Sequence, residues 1–286
     1  MANSVKGIEK LVSFIRRLTY QSEVKAIVRW LGLRKTMSRI YHHWRAPGGV
    51  VCLQVGDVTC HFWARTAEEL RTLEGPAVAS SLRSSEVETL GRFLSFLKPG
   101  DAVYDIGANV GLYSAILGIA VGATGQVVAF EPDQGNYTRL QENLQLNGLT
   151  NVHSFCIALG NETCWARLYA FDRAGCLSTL VAPPGGTAHQ DLVRVECADD
   201  FRRAEKLPIP RAVKIDVEGY EYAVIQGLAK TLTEPVCQFV CCEIHERLAP
   251  SGTAPEDVVA FLRSLGFDRI ELHDRITVQH ALCYKC

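Results

Sequence analysis

The sequence predicts an α/β fold in which helices cover both faces of a mostly parallel sheet. Short apolar runs alternate with amphipathic runs from residue 102 onward, and this alternation is typical of parallel strands joined by helical crossovers. Two last strands, near 269–273 and 277–284, are separated by a short turn, which predicts an antiparallel pair at one edge. A chain of 286 residues with 48% apolar content can bury such a core.

The predicted elements follow one another in a regular order. Hydrophobic periodicity and the positions of Gly and Pro give their bounds: a helix over 86–97, a strand over 102–107, a helix from 111, a strand over 126–131, a helix over 133–147, a strand over 152–159, a strand over 212–217, a helix to 230, a strand over 237–244 and a helix over 255–265. The stretch between 160 and 211 is more irregular. Its Pro and Gly cluster at 182–189 is expected to be a mobile loop near the functional site.

The amino-terminal part has a different character, and we predict a separate extension over 1–80 followed by the α/β domain over 81–286. Residues 1–45 carry ten Lys and Arg against two Glu, a net charge of +8, and their apolar residues recur at helical spacing. Such a basic amphipathic helix can contact an anionic membrane or an acidic partner, although packing on its own domain is favoured. Residues 50–64 predict a hairpin that turns at Gly56 and Asp57.

Composition restricts the class of protein. No apolar run is long enough for a signal peptide or a transmembrane helix. The 11 cysteines are odd in number and show no metal-ligand spacing, which indicates free thiols in a reducing compartment. We therefore expect a soluble, cytoplasmic protein. The four tryptophans do not alternate with basic residues, so nucleic acid is not expected as a partner.

The strongest local motif is DIGANVG at 105–111, which lies between a predicted strand and a predicted helix. Its small residues Gly107, Asn109 and Gly111 allow a ligand to approach the backbone, and the helix amino terminus offers amide groups. Glu131 ends the next strand, where an acid can accept both ribose hydroxyls. Asp105 would repel the pyrophosphate of a dinucleotide but suits a cationic ligand such as the amino group of S-adenosylmethionine.

Charged residues also end the two later strands. Alternation predicts Lys214, Asp216 and Glu218 on a common side, and Glu243 and His245 on a common side of the next strand. Several charged side chains that meet at the carboxyl ends of neighbouring strands indicate an active site more than a purely structural ion pair. His245 is the predicted base for removing a proton from an acceptor hydroxyl. A divalent metal is another way to activate a hydroxyl, and the side chains that could bind it are Asp216, Glu218, Glu243 and His245. No required metal is predicted.

The runs VYDIGANVGLYS, VVAFEPDQGNYTRLQENLQLNGL, IALG, VKIDVEGYEYAVIQG and EIH, in this order, resemble the FkbM family of methyltransferases. The resemblance covers residue 86 to the carboxyl terminus. It implies a Rossmann-like class I methyltransferase fold with a seven-stranded sheet, S-adenosylmethionine as methyl donor, and usually methylation of a hydroxyl oxygen. It places the methionine part of the cofactor at 105–111, the ribose at Glu131 and the adjoining Pro132, and the adenine at Cys156 to Ala158.

These observations leave three functions open. The leading hypothesis is methylation of a hydroxyl on a small molecule or glycan. The second is methylation of nitrogen on a protein or small amine, which needs less base catalysis. The third is a non-catalytic scaffold that binds the cofactor and reaches a membrane through residues 1–45. The oligomeric state is not indicated by any motif.

Overall fold

The computed structural model describes residues 34–74, 82–170, 178–182, 189–246, 248, 252–274 and 278–285. The chain divides into two compact units, one formed by 1–52 with 62–87 and the other by 53–61 with 88–286. The predicted helix over the first 33 residues and most of the loop predicted at 182–189 lie outside the described residues. A domain boundary near residue 80 and a membrane or partner contact of residues 1–45 stay predictions.

In the first unit, α1 (Arg34–Arg45) precedes a short 3-10 turn at Pro47–Gly49, and α2 (Ala67–Glu74) follows the hairpin. The helical prediction is confirmed for 34–45. The His42 Nε2 atom lies 2.6 Å from the carbonyl oxygen of Ala64, which joins α1 to the chain after the hairpin.

The hairpin consists of β1 (Val50–Val55) and β2 (Val58–Trp63). Its turn lies at Gly56 and Asp57, as predicted, and Gly56 has a φ of 57°, which glycine adopts without strain. In the second unit, the His61 amide donates to Asn147 Oδ1 at 2.8 Å and Asn147 Nδ2 donates to the His61 carbonyl at 2.7 Å. Within the second unit, these two hydrogen bonds join His61 to the residue that ends the helix over 134–146.

A seven-stranded sheet forms the centre of the second unit. Its members are β3 (Ala102–Ile106), β4 (Gln126–Phe130), β5 (Val152–Phe155), β10 (Ala212–Ile215), β11 (Phe239–His245), β12 (Arg269–Asp274) and β13 (Val278–Tyr284). Their spatial order is β12-β13-β11-β10-β3-β4-β5. Only β13 pairs antiparallel, with β11 and β12, so the predicted mostly parallel sheet with an antiparallel edge is confirmed.

The helices that lie wholly or mainly in the second unit largely match the predicted periodicity. They are α3 (Leu82–Phe96), α4 (Leu112–Val121), α5 (Gln134–Leu146), α6 (Ala198–Ala204), α7 (Glu221–Gly227), α8 (Ala229–Thr233) and α9 (Pro255–Ser264). The prediction of a single helix that ends at 230 is wrong, because one helix ends at Gly227 and a second begins at Ala229. The buried Asp199 carboxylate accepts hydrogen bonds from the Lys230 and Thr231 amides at 2.8 and 3.0 Å, and it thereby caps a new helix.

A second sheet occupies the stretch that the sequence left irregular. It contains β6 (Ala158–Gly160), β7 (Cys164–Ala170), β8 (Ser178–Thr179) and β9 (His189–Cys197), in the order β6-β9-β7-β8. The predicted strand over 152–159 is therefore two strands in different sheets. Exposed Trp165 and Leu192 obscured the alternation, because apolar residues lie on the outward face as well as the inward one.

The core of the second unit packs on both faces of the large sheet. On one face, the rings of Tyr104, Phe130 and Phe155 follow one another at centroid distances of 5.8 and 5.7 Å. On the other, Phe93 meets Phe239 at 4.9 Å. Among the described residues, no helix has the length and apolar character needed to cross a bilayer, and the described cysteines form no disulfides.

Two helical glycines give a matched test of packing. A Cβ on Gly227 would lie 1.8 Å from the Gly160 carbonyl oxygen, whereas a Cβ on exposed Gly91 would meet nothing within 4 Å. We expect Gly227→Ala to lower the free energy of unfolding by about 1–3 kcal/mol or more, and Gly91→Ala to raise it by up to about 1 kcal/mol. Urea unfolding of both variants measures this difference. Equal stabilities would contradict the close approach of α7 to β6.

Candidate functional site

The site lies where the direction of strand addition reverses. From β3 the chain adds β4 and β5 on one side, and it later adds β10 and β11 on the other. Ligands of open α/β sheets bind at the carboxyl ends of the strands at such a switch point. The segments that leave β3 and β10 there are 107–111 and 216–220, which contain most of the residues singled out in the sequence.

The glycine loop, residues 107–111, has the backbone that its sequence predicts. Gly107, Asn109 and Gly111 have φ values of 79°, 51° and 87°. A Cβ on Gly107 would lie 1.8 Å from the Asp216 carbonyl oxygen, and one on Gly111 would lie 2.4 Å from Leu140 Cδ1. Glycine is therefore required at 107 for both conformation and space, and at 111 for its left-handed conformation. The loop ends at the amino terminus of α4, where amide groups lack helical partners.

Glu131 follows β4 and lies almost wholly buried against this loop. Its Oε2 accepts from the Asn109 amide at 2.7 Å, and its Oε1 accepts from the Asp133 amide at 2.9 Å. Burial raises the pKa of Glu131 to about 7, although these two hydrogen bonds act in the opposite direction. The acid at the end of the second strand is thus held next to the glycine loop.

The other two predicted cofactor positions are separated from each other. Cys156 lies beside the carbonyl of Pro132, with its Sγ 3.9 Å from that oxygen. Ala158 is buried in β6, where it pairs with Val195 of the small sheet. The structure therefore brings Cys156 to the Glu131 end of the site and places Ala158 in the neighbouring sheet.

Lys214 is a buried ammonium that joins β10 to the glycine loop. Its Nζ donates to the Gly107 carbonyl at 2.8 Å and lies 3.4 Å from Asp105 Oδ1 and 3.3 Å from Asp216 Oδ2. The Asp105 Oδ2 atom accepts from the Ser114 hydroxyl at 2.5 Å. Asp105 has no exposed surface, so its carboxylate supports the loop from beneath. This differs from the expectation that it lies directly beside a cationic ligand.

Asp216, Glu218 and His245 form the more exposed half of the site. The His245 Nε2 atom lies 3.1 Å from Glu218 Oε2, and its Nδ1 lies 2.8 Å from Glu221 Oε1. Glu218 has a φ of 54° and lies in the turn after β10. The Thr179 hydroxyl donates to its carbonyl. Glu218 thus reaches the site through a turn, and the prediction that strand alternation places it there is wrong.

The contacts of His245 determine its charge. Burial lowers its pKa, but hydrogen bonds to Glu218 and Glu221 outweigh this effect and raise the pKa to about 11. For the Asp216 carboxyl, burial acts in the opposite direction and raises the pKa. The positive charges of Lys214 and His245 outweigh burial and bring the pKa of Asp216 below its usual value. In this arrangement His245 is a cation at neutral pH and cannot act as the predicted base, whereas Asp216 is ionised.

Glu243 is directed away from the exposed half of the site. Its Oε2 lies 2.9 Å from Nε2 of the buried His280, which is its register partner on β13. Sequence reasoning missed His280, because its pairing depends on the antiparallel register of the edge. It also assigned no separate role to Glu221, although Glu221 ends the charged run KIDVEGYE. Glu221 is fully buried, and burial raises its pKa.

Three of the four predicted metal-ligating side chains converge. Asp216, Glu218 and His245 each offer one ligand atom, and these atoms lie within 4.8 Å of one another. Glu243 is not a member of this group. Carboxylate oxygens and imidazole nitrogen are common ligands of divalent cations in proteins, so the residues present can hold such an ion.

Comparison with known proteins identifies relatives of this chain. The model of the methyltransferase FkbM domain matches residues 105–269. The hexuronic acid methyltransferase AglP of Haloferax volcanii is 25% identical over 212 residues, which are 73% of this chain and 78% of the relative. Methyltransferase 1 of Beauveria bassiana is 25% identical over 149 residues, 46% of this chain and 59% of that one.

Comparison with solved structures gives matches of low sequence identity. An FkbM methyltransferase from Methylobacillus flagellatus KT is 17% identical with a TM-score of 0.49, and the alignment covers 99% of this chain but only 60% of that longer one. An S-adenosylmethionine-dependent O-methyltransferase from Thermotoga maritima is 15% identical with a TM-score of 0.44, over 75% of this chain and 71% of the other. Because the family model spans more than half of the 286 residues, this protein belongs to the FkbM family of S-adenosylmethionine-dependent methyltransferases.

Proposed function

We propose that this methyltransferase methylates a hydroxyl oxygen of a sugar or another small hydroxyl-bearing molecule. The observation that carries the proposal is the position of two partly exposed carboxylates beside the glycine loop. The side chains of Asp216 and Glu218 are 31% and 33% exposed, and the Asp216 peptide packs directly on Gly107. An acceptor hydroxyl at these carboxylates would lie next to the cofactor-binding loop.

The residues on the other side of the loop fit S-adenosylmethionine. That cofactor supplies an electrophilic methyl group on a sulfonium sulfur. Glu131 offers a buried carboxylate to the ribose hydroxyls. The left-handed backbone at Gly107 and Gly111 shapes the loop that ends at a helix amino terminus, where free amide groups can face the methionine part. Pro132 and Cys156 provide mainly apolar surface at the adenine end. Asp105 and Lys214 hold the loop in this conformation from beneath.

A carboxylate suits the chemistry of a hydroxyl acceptor. A hydroxyl is a weak nucleophile and must lose its proton as the new carbon–oxygen bond forms and the carbon–sulfur bond breaks, with the electron pair left on sulfur. Asp216 is ionised at neutral pH because Lys214 and His245 lower its pKa. It can accept the hydrogen bond of the hydroxyl, orient its oxygen, and receive the proton.

The relative with a named acceptor favours oxygen over nitrogen. AglP is a hexuronic acid methyltransferase, and a hexuronic acid has hydroxyl and carboxylate oxygens but no amine. At 25% identity this likeness supports the class of acceptor, an oxygen of a sugar, and not an individual sugar. Nitrogen methylation has no comparable support in the site.

The acceptor class can be tested with three glycosides: a glucuronide, a glucoside and an amino-sugar glycoside. All three carry hydroxyl groups. With at least one of them we expect S-adenosylhomocysteine and a product methylated at a hydroxyl oxygen, both detected by mass spectrometry. Asp216→Asn removes the carboxylate, and we expect kcat to fall by about 10²–10⁴. Asp200→Asn, at an exposed position on α6, should leave kcat unchanged. Methylation of the amine alone, or full activity of Asp216→Asn, would refute the proposal.

The raised pKa of Glu131 predicts a pH-dependent affinity for the cofactor. The ionised carboxylate accepts hydrogen bonds from both ribose hydroxyls, so binding competes with protonation at a pKa of about 7. We expect the affinity of the wild type to rise by up to about tenfold per pH unit below 7 and to level off above it. Glu131→Gln should bind more weakly and lose this component of the pH dependence. Calorimetry from pH 5.5 to 8.5 measures both, with Glu162→Gln as an exposed control.

The same group makes a separate contribution to stability without cofactor. Its folded pKa lies above the ordinary value of 4.5, so the folded state binds the proton more tightly than the unfolded state does. The free energy of unfolding should therefore fall as pH rises from about 4.5 to 7 and then stay level with respect to this group. In Glu131→Gln this decline should be smaller, as thermal unfolding across the same range will show.

A further inference from the structure

The carboxyl ends of β10 and β11 carry a compact group of side chains, Asp216, Glu218 and His245, which we call the 216–245 cluster. One ligand atom of each lies within 4.8 Å of the other two. All three side chains are between 15% and 33% exposed. A cation held there would have protein ligands on one side and open coordination positions towards solvent, where an acceptor can enter.

A buried group behind the cluster points to the same ligand. Glu221 has no exposed surface, and its Oε1 lies 2.8 Å from His245 Nδ1. Among the described residues its Oε2 has no hydrogen-bond partner. A histidine that binds a metal usually donates its other ring N–H to such a carboxylate, which fixes the ring and directs the free nitrogen to the ion. Here the nitrogen directed to the cluster is Nε2.

The charges around the cluster are out of balance. Asp216, Glu218 and Glu221 contribute three carboxylates, while the Lys214 ammonium is shared with the buried Asp105. An ion of charge +2 between the three ligands would offset two carboxylates directly.

We infer that the 216–245 cluster binds one divalent cation of the Mn²⁺ type and that this ion positions the acceptor oxygen. Mixed carboxylate and imidazole ligands with open positions suit Mn²⁺ better than the small, strictly oxygen-preferring Mg²⁺. The cation would bind Nε2 of His245 in place of a proton, and it would polarise a hydroxyl so that the proton passes more easily to the Asp216 carboxylate oxygen that does not bind the ion. The catalytic part of this inference rests on the proposed oxygen methylation, whereas binding of the ion does not.

Binding is tested with Mn²⁺ alone and the full chain, without cofactor or acceptor, by loss of the electron paramagnetic resonance signal of free Mn²⁺. We expect one ion per chain in the wild type. Asp216→Asn, Glu218→Gln and His245→Gln should each weaken the affinity by at least about tenfold, and Glu221→Gln, which acts through His245, by about 10–100-fold. Glu205→Gln, at an exposed helix end, should bind as the wild type does.

A second measurement guards against variants that fail to fold. Mn²⁺ should raise the Tm of the wild type and of Glu205→Gln, and this increase should disappear in each cluster variant relative to its own Tm without metal. No binding by the wild type at millimolar Mn²⁺ would overturn the inference. Equal binding by the wild type and all three cluster variants would overturn it as well.

The catalytic part has its own readout. Methyl transfer should stop when the protein is treated with a chelator and return with Mn²⁺. Full methyl transfer without metal would overturn the role of the ion and leave the methyltransferase function standing. Mn²⁺ binding that depends on the cluster, together with no transfer to any oxygen acceptor, would support the metal site and refute the proposed acceptor.

Discussion

The site depends on one buried ammonium. Lys214 neutralises Asp105 beneath the glycine loop, donates to the Gly107 carbonyl within that loop, and approaches Asp216 at the more exposed side. Its removal would leave a wholly buried carboxylate without compensation, which is among the most costly changes in a protein interior. The Lys214 ammonium thus interacts with the ends of both β3 and β10. Loss of its contacts with Asp105 and Gly107 would change the conformation of the glycine loop.

A second layer of constraint lies behind His245. The turn at 218–220 delivers Glu218 in a left-handed conformation, and α7 begins directly afterwards with the buried Glu221. One turn of chain therefore supplies both carboxylates that contact the two nitrogens of the same ring. These two contacts fix the orientation of the imidazole ring. Whether Nε2 carries a proton or binds a cation therefore determines what His245 can do.

Most of the large sheet could be predicted from the sequence, because its four central parallel strands are mainly apolar and each is followed by a helix. The small sheet could not, since exposed Trp165 and Leu192 remove the contrast between its faces. The glycine loop and the position of Glu131 beside it could be predicted, because the strand exit at 105–111 and the acid that ends the next strand are local signals. For the charged residues after β10 and β11, the sequence indicated which residues are present but not their contacts. The contacts of His245 arise from a turn and a helix start, and the pairing of Glu243 with His280 arises from an antiparallel register.

The contact between Gly107 and the Asp216 peptide has a thermodynamic consequence. There is no room for even a methyl group between them, so neither segment can shift without the other. A ligand that orders the glycine loop therefore reduces the conformational entropy that the segment at Asp216 still has to lose. Cofactor and acceptor should for this reason bind with positive cooperativity, and each should tighten the other by the same factor.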